Sequence, residues 1–181
     1  MSLKDQAYLA EHFTKKNPLR VQIITMSDRA ASGEYEDKSG PQVSEHLLAF
    51  LGGAHIAHDI NTLILPDDPD GLRETLLKAK DDELHLIFTT GGTGVGPRDN
   101  TPDVVIDVSD KIIPGVMEHI RLKYGADKPC ALLSRTVAAV MASTLIYTIP
   151  GSTKGVDEYM TELLKTMDHT LCVIHSLEKH E

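Results

Sequence analysis

The sequence predicts a single three-layer α/β domain, in which helices cover both faces of a mostly parallel sheet. Its 181 residues suit one domain and can bury a core without disulfide or metal support. Short apolar runs rich in β-branched residues alternate with segments of helical periodicity, which is typical of buried parallel strands between helices. Polar or glycine-rich loops follow four of the predicted strands, and α/β folds bind ligands at that end of their strands.

The first half of the chain contains two predicted strands and the loop between them. A short helix is expected over residues 3–15, and residues 19–26 (LRVQIITM) have the composition of a buried strand. A polar loop over 27–40 leads to a helix that begins at Pro41, because proline suits a first helical position. Residues 55–65 alternate in polarity and are expected to form the next strand.

The turn at residues 66–69 (PDDP) precedes an amphipathic helix over 72–79, and residues 84–89 (LHLIFT) form the next predicted strand. A glycine-rich loop over 90–101 then leads to Thr101-Pro102, a good N-cap and first residue for the helix that follows.

Two strand-like runs, 136–140 and 144–149, and one helix over 156–171 complete the predicted order. We expect four polar loops to meet at one edge of the sheet: 27–40, 66–69, 90–101 and 150–155. The chain has no internal repeat and no linker, so the expected division is an N-terminal extension over 1–18, one domain over 19–175 and a C-terminal tail over 176–181.

Charge and hydropathy exclude two classes of partner. With 18 basic and 27 acidic residues the net charge is −9, which disfavours nucleic-acid or anionic-membrane binding driven by overall charge. No apolar run reaches the length of a membrane span, and the first residues lack the apolar segment of a signal peptide. A cytoplasmic location is therefore expected. Any anionic ligand must be held by local groups.

Cysteine and histidine spacing gives no metal motif. Cys130 and Cys172 fit no CxxC or zinc pattern and are expected to be reduced, buried thiols. The nine histidines form no HExxH or other recognisable ligand pair.

Residues 89–102 (TTGGTGVGPRDNTP) are the most informative segment. Four glycines in six positions allow backbone amides to approach a ligand, and a helix begins directly afterwards, so the pattern favours phosphate binding. Gly91 and Gly96 have the spacing of a P-loop, but Pro97-Arg98 replaces its Lys-Ser/Thr pair, and no frame gives GxGxxG. A tight glycine turn without a ligand is the alternative.

This segment closely resembles the signature of the MogA/MoaB family, the molybdopterin adenylyltransferases and their relatives in molybdenum cofactor synthesis. Supporting segments occur in the same order over residues 20–170. They are Ser27-Asp28-Arg29 with Gly33, Glu36-Asp37-Lys38-Ser39-Gly40, Leu65-Pro66-Asp67, Leu133-Ser134-Arg135, and Ile149 through Gly155 (IPGSTKG).

The resemblance implies a three-layer fold, a homotrimer and transfer of AMP from ATP to the terminal phosphate of molybdopterin, which releases pyrophosphate. It implies Mg²⁺ as the cofactor and hand-over of the adenylylated pterin to a molybdate-inserting protein. Such a reaction needs charge neutralisation and alignment more than a protein nucleophile.

The resemblance places catalysis on Asp67 and substrate handling on Asp99, and these two carboxylates are the candidate Mg²⁺ ligands. Asp68 is an alternative to Asp67, and Asp67 itself could be a turn residue that binds backbone amides.

The remaining candidates would bind ATP or molybdopterin. Arg98, Arg135, Lys38 and Lys154 could supply local positive charge. Asp37 could accept a hydrogen bond from a pterin amine or cap its own loop. The other predicted binding residues are Ser27, Asp28, Ser39, Thr90, Gly91, Gly92, Thr93, Gly94, Ser134, Gly151 and Ser152.

Two other functions remain open. A MoaB-like protein would keep the pterin cleft with little or no adenylyltransferase activity, and a scaffolding trimer would use the domain for assembly alone. The SDRAASG, EDKSG and GPRDNTPD segments look closer to the Mog-type pattern, whereas IPGSTK also occurs in MoaB-like sequences.

Overall fold

A computed structural model describes residues 3–177; residues 178–181 of the predicted tail lie outside the described residues. Six strands form one sheet in the order β2-β1-β3-β6-β5-β4. The strands are β1 Leu19–Met26, β2 His58–Leu65, β3 Leu86–Thr90, β4 Lys111–Ile112, β5 Ala138–Met141 and β6 Thr144–Ile149. The helices are α1 Leu3–His12, α2 Asp28–Ala31, α3 Ser39–Gly53, α4 Pro69–Asp81, α5 Thr101–Val108, α6 Pro114–Gly125, α7 Thr153–Leu163 and α8 Met167–Ile174, with a 3₁₀ turn at Pro129–Leu133.

The sheet is mostly parallel, as predicted. Strands β2, β1, β3 and β6 run parallel to one another, while β5 and β4 are antiparallel additions at one side. In this register Met26 lies opposite Leu65, Thr25 opposite Thr90, and Thr90 opposite Ile149. The four parallel strands therefore end at one edge, and the four predicted loops leave the sheet there.

Two apolar cores, one on each face of the sheet, confirm the three layers. Alternate residues of a strand point to opposite faces, so Ile23 of β1 packs in one core and Ile24 in the other. Helices α1, α3, α6, α7 and α8 contribute to the first core, and α4 and α5 to the second. Helix α1 packs against the first core through Leu9, which is fully buried, and Phe13 after the helix is also buried there.

The C-terminal helix differs from the prediction, because α7 and α8 replace one helix over 156–171. The break falls at residues 164–166, where the amides of Lys165 and Thr166 bond to carbonyls three residues earlier. Buried Leu163 and Met167 lie four residues apart across it, so apolar spacing remains helical and the pattern does not reveal the break.

Helix α6 has no counterpart in the predicted order. Only three of its twelve residues are buried, Met117, Ile120 and Gly125, so its periodic signal is weak. The predicted loop 27–40 also contains the single turn α2, and α3 begins at Ser39 rather than Pro41.

The prediction of two buried thiols is half wrong. Both cysteines are free, Cys172 is buried between α1 and α8, and Cys130 is exposed in the 3₁₀ turn. No helix within residues 3–177 is both long and apolar enough to cross a membrane.

Candidate active site at the carboxyl edge of the sheet

The loop after β1 and the start of α3 enclose a cavity of about 560 Å³ at the carboxyl edge. Its walls carry hydroxyl, amide and charged groups around a modest apolar lining, which suits a polar ligand of nucleotide or pterin size. The predicted binding residues that line it are Ser27, Asp37, Lys38, Ser39, Thr90, Gly151 and Ser152.

Asp37 fixes one wall of this cavity through a dense set of hydrogen bonds. Its Oδ2 accepts from Thr25 Oγ1 at 2.7 Å, and its Oδ1 accepts from the Ser39 amide at 3.0 Å, the Ser39 hydroxyl at 2.9 Å and the Gly40 amide at 3.2 Å. These contacts match the predicted alternative in which Asp37 caps its loop and the start of α3. The carboxylate also remains on the cavity wall.

A second cavity of about 380 Å³ lies on the other side of Ser152, which lines both. Predicted residues Thr93, Gly94 and Ser134 contribute to it, as does the exposed Cys130. Tyr159 joins its wall and donates a hydrogen bond from its hydroxyl to Ser134 Oγ at 3.2 Å. Sequence reasoning missed Tyr159 because it stands among apolar residues of a helical pattern.

Asp67 and Asp28 connect the loops that follow β2 and β1. The Asp28 amide donates to Asp67 Oδ2 at 3.2 Å, and the Asp67 amide donates to Asp28 Oδ1 at 3.0 Å. Arg98 of the glycine-rich loop forms an ion pair with Asp28 Oδ2. The Asp67 amide and then Arg98 hold the pKa of the Asp28 carboxyl below its ordinary value, so Asp28 is an anion at neutral pH.

The sequence left two alternatives to a catalytic Asp67: Asp68 could take its role, or Asp67 could be a turn residue that binds backbone amides. Asp68 is the N-cap of α4, and its two oxygens accept from the amides of Asp70 at 3.3 Å and Gly71 at 3.1 Å. Asp68 and Asp67 both line a small hollow beside Arg98, but Asp67 does not cap the helix. Its carboxylate does bind a backbone amide, as the turn alternative predicts, but that amide belongs to a different loop.

Asp99 lies inside the glycine-rich loop. Its Oδ2 accepts from the Gly96 amide at 2.8 Å, and a Cβ at Gly94 or at Gly96 would come within 2.8 Å of that oxygen. A side chain at either position would therefore displace this carboxylate. Gly91 and Gly92 have positive φ values of 96° and 61°, which only glycine adopts without strain.

Arg135 and Lys154 contact protein groups. The Arg135 guanidinium binds carbonyls of the glycine-rich loop and Asp103. Lys154 lies 3.7 Å from Glu158, one turn along α7, and is exposed.

Within residues 3–177 no group of three or more His, Cys, Asp or Glu side chains could hold a metal ion by itself. Asp67 with Asp28 still offers two hard carboxylates next to the cavity edge. Mg²⁺ is usually held by one or two protein carboxylates together with water and substrate phosphate, so this donor set fits Mg²⁺.

The fold and this edge define a class: a three-layer α/β domain with polar cavities and a glycine-rich loop at the carboxyl ends of its parallel strands, where such folds bind ligands. Residues 22–169 match the family model described as a probable molybdopterin binding domain. The chain belongs to that family.

Individual proteins that the chain resembles are consistent with this family. The chain is 37% identical over 143 residues to the molybdopterin adenylyltransferase of Escherichia coli K12, covering 78% of this chain and 72% of that protein. A solved structure of the Mog protein from Mycobacterium ulcerans is 35% identical with a TM-score of 0.77, over 86% of this chain and 98% of that one. A solved structure of MoaB from Thermus thermophilus is 36% identical with a TM-score of 0.74, over 87% and 97%.

Proposed function

We propose that this protein is a molybdopterin adenylyltransferase, which transfers AMP from ATP to the terminal phosphate of molybdopterin and releases pyrophosphate. The main structural support for this proposal is the carboxyl edge of the sheet, where polar cavities, glycine-rich backbone and the Asp67–Asp28–Arg98 network adjoin one another. The adenylyltransferase relative supports the activity.

The chemistry follows from these groups. The terminal phosphate oxygen of molybdopterin attacks the α-phosphorus of ATP, a P–O bond forms, and the bond to the pyrophosphate oxygen breaks. Amides of the glycine-rich loop and the Arg98 guanidinium would offset the negative charge of the reacting phosphates. Asp67 would orient the ligands, because its backbone link to Asp28 ties the β2 and β1 loops together.

We assign Mg²⁺ to Asp67, with Asp28 as the adjacent carboxylate and Asp99 as the further predicted ligand from the glycine-rich loop. When bound, Mg²⁺ neutralises charge on the ATP phosphates. The engagement of both Asp68 oxygens as a helix cap supports Asp67 over Asp68 in this role.

The two cavities suggest a division of ligands. We propose that the nucleotide and the pterin bind in separate cavities, with Ser152 between them. Ser27, Asp37, Ser39, Thr90 and Gly151 line the first, and Thr93, Gly94 and Ser134 line the second.

The direct test is incubation with molybdopterin, Mg²⁺ and labelled ATP, with detection of the AMP-pterin product. Product that depends on Mg²⁺ supports the enzyme. Molybdopterin binding without product would favour the MoaB-like alternative, and binding of neither ligand would favour a scaffolding role. Titration calorimetry with ATP and Mg²⁺ separates these outcomes further.

We also propose that the protein acts as a homotrimer in the cytoplasm, where ATP is available, and passes its product to a molybdate-inserting protein. Leu122 of α6 and Leu133 of the 3₁₀ turn are exposed apolar side chains that a subunit interface could cover. We expect analytical ultracentrifugation at micromolar concentration to give three times the chain mass. A single-chain mass throughout that range would contradict the trimer.

A further inference from the structure

The Arg135 side chain lies where it can hold the glycine-rich loop at its base. Its Nε donates to the Gly94 carbonyl at 2.8 Å, one terminal nitrogen donates to the Asp99 carbonyl, and its own backbone amide donates to the Thr93 carbonyl at 2.9 Å. Gly94 and Asp99 flank residues 95–98, all of which are exposed. Arg135 thus joins the two sides of an exposed loop tip.

Asp103 holds the guanidinium in this position. The two terminal nitrogens of Arg135 donate to its two carboxylate oxygens at 2.8 and 2.9 Å, a bidentate geometry that fixes the plane of the guanidinium. Hydrogen bonding from Arg135 also holds the pKa of the Asp103 carboxyl below its ordinary value, so the pair stays charged at neutral pH. Asp103 lies in the first turn of α5, which begins directly after the loop.

These contacts occupy four of the five N–H donors of the Arg135 guanidinium and leave a single one, on Nη1, for an anion. Nε and both terminal nitrogens of Arg135 already donate to protein oxygens. A lysine could replace the charge but not this fork, because its ammonium is a point donor. An anion-binding role and a positioning role for Arg135 therefore predict different results for the same substitution.

We propose that Arg135, oriented by Asp103, is a positioning residue that fixes the glycine-rich loop, and with it Asp99 and the loop amides, in the conformation that receives the phosphate-bearing substrate. The catalytic part of this inference rests on the proposed function; the loop-ordering part does not. It revises the predicted role of Arg135 as a direct anion ligand.

The chain offers a matched control on the same helix. Asp107 lies one turn after Asp103 on α5 and forms an ion pair with Arg73 of α4, away from the loop. Asp103→Asn and Asp107→Asn thus remove the same charge from the same helix, and only the first should disturb Arg135. Arg135→Lys and Arg73→Lys form the second matched pair.

The experiment has two readouts on the full chain. Millisecond amide hydrogen exchange without ligand would follow the amides of Gly96, Asp99 and Asn100, which are hydrogen-bonded within the loop. We expect about a tenfold faster exchange at these amides in Arg135→Lys and in Asp103→Asn, and no change in Asp107→Asn or Arg73→Lys.

Single-turnover adenylylation and molybdopterin affinity are the second readout. The two loop variants should lose about 10- to 100-fold in turnover, because misplacement of reacting groups by about 1 Å costs on that order, while both controls keep the wild-type rate. Unchanged loop exchange in both loop variants would overturn the proposal. Wild-type turnover in both Arg135→Lys and Asp103→Asn would also overturn the proposal, because that result would identify Arg135 as an anion ligand.

The two readouts separate the two proposals. If the wild-type protein makes no AMP-pterin, the exchange measurement still decides whether Arg135 orders the loop. If Arg135→Lys does not fold, as judged by circular dichroism, the milder Asp103→Asn variant decides it.

Discussion

The two ends of the parallel strands in this protein are built from different interactions. At the carboxyl ends, loops are fixed by hydrogen bonds and ion pairs, such as those between Asp67, Asp28 and Arg98. At the amino ends, Phe13 packs against His12, His85 and His175, with ring centroids 4.7, 4.8 and 5.7 Å away. One end is held by charge and polar geometry, and the other by aromatic packing that joins the first and last helices.

From this difference we expect ligand binding to depend on the carboxyl ends of the strands and the stability of the fold to depend on the amino ends. The carboxyl end keeps open cavities lined by polar groups. At the amino end, burial disfavours the charged forms of His85 and His175 and lowers the pKa of each. Burial, followed by the charges of His175, Arg20 and His12, lowers the pKa of His85 to about 4. Substitutions at the first end should therefore affect function most, and changes at the second should affect folding.

The largest effect is expected for Asp67→Asn. This change removes the charge that we propose orients substrate and metal, so turnover should fall by about two to three orders of magnitude while molybdopterin still binds. Asp99→Asn should weaken ligand binding as well. Asp68→Asn is the control, because asparagine ranks with aspartate as an N-cap and its one acceptor oxygen can keep one of the two capping hydrogen bonds of α4. Near-normal turnover of the Asp67 variant, with a defective Asp68 variant, would move the assignment to Asp68.

The next effect is expected for Gly91→Ala. A Cβ there would overlap the Met26 carbonyl oxygen, and its φ of 96° strains any other residue. We expect a loss of about 3 kcal/mol in the free energy of unfolding, measured by urea denaturation, together with weaker ATP binding. Gly33→Ala is the matched control, because Gly33 also has a positive φ of 78° but has no neighbour within 4 Å of a Cβ. Equal losses in both variants would show that backbone strain, not close approach, sets the effect.

At the opposite end, stability should depend on pH through His85. The folded state binds fewer protons than the unfolded state between the ordinary pKa of 6.5 and the lowered value of about 4. Stability should therefore fall as the pH drops through this window, by at most about 3 kcal/mol from this residue.

His85→Asn tests this dependence, because an asparagine oxygen can accept the 2.9 Å hydrogen bond that the Arg20 amide donates to His85 Nδ1. The slope of unfolding free energy between pH 6.5 and 4 should flatten in this variant and persist in the exposed control His55→Asn. An unchanged slope in His85→Asn would assign the dependence to other groups, first of all His175, whose pKa is also lowered by burial.

The smallest effect is expected at the cysteines. Cys130 is exposed on the wall of the second cavity and should react with a small alkylating reagent, while buried Cys172 should not. Turnover of Cys130→Ser should stay close to that of the wild-type protein, because the proposed reaction has no thiol nucleophile, and any loss after alkylation would come from the bulk of the adduct in the proposed ligand cavity. A Cys130→Ser variant is the control. Loss of turnover in that variant, with the fold intact, would indicate a chemical role for the thiol.

Several features were predictable from the sequence because they depend on local pattern. Apolar runs located β1, β3 and β6, and alternating polarity located β2, to within two or three residues, and the glycine signature identified the loop that follows β3. Helix α6 was not predictable, since it buries few residues, and the end of α7 was hidden by unbroken four-residue spacing.

The candidate residues were placed at the correct edge, but their contacts were not predictable. Nothing local pairs Asp28 with Asp67, which are 39 positions apart, or Arg135 with Asp103. Cys130 and Cys172 show the same limit, because their difference in exposure depends on which helices pack over them.

Sequence alone was enough to order the four parallel strands and to identify the glycine-rich loop and the family, because these are encoded in the spacing of neighbouring residues. Only the tertiary structure decided which carboxylates share a site and which cation holds the loop. Those relations arise when the sheet brings β1, β2, β3 and β6 to a common edge, where side chains distant in sequence come within hydrogen-bond distance.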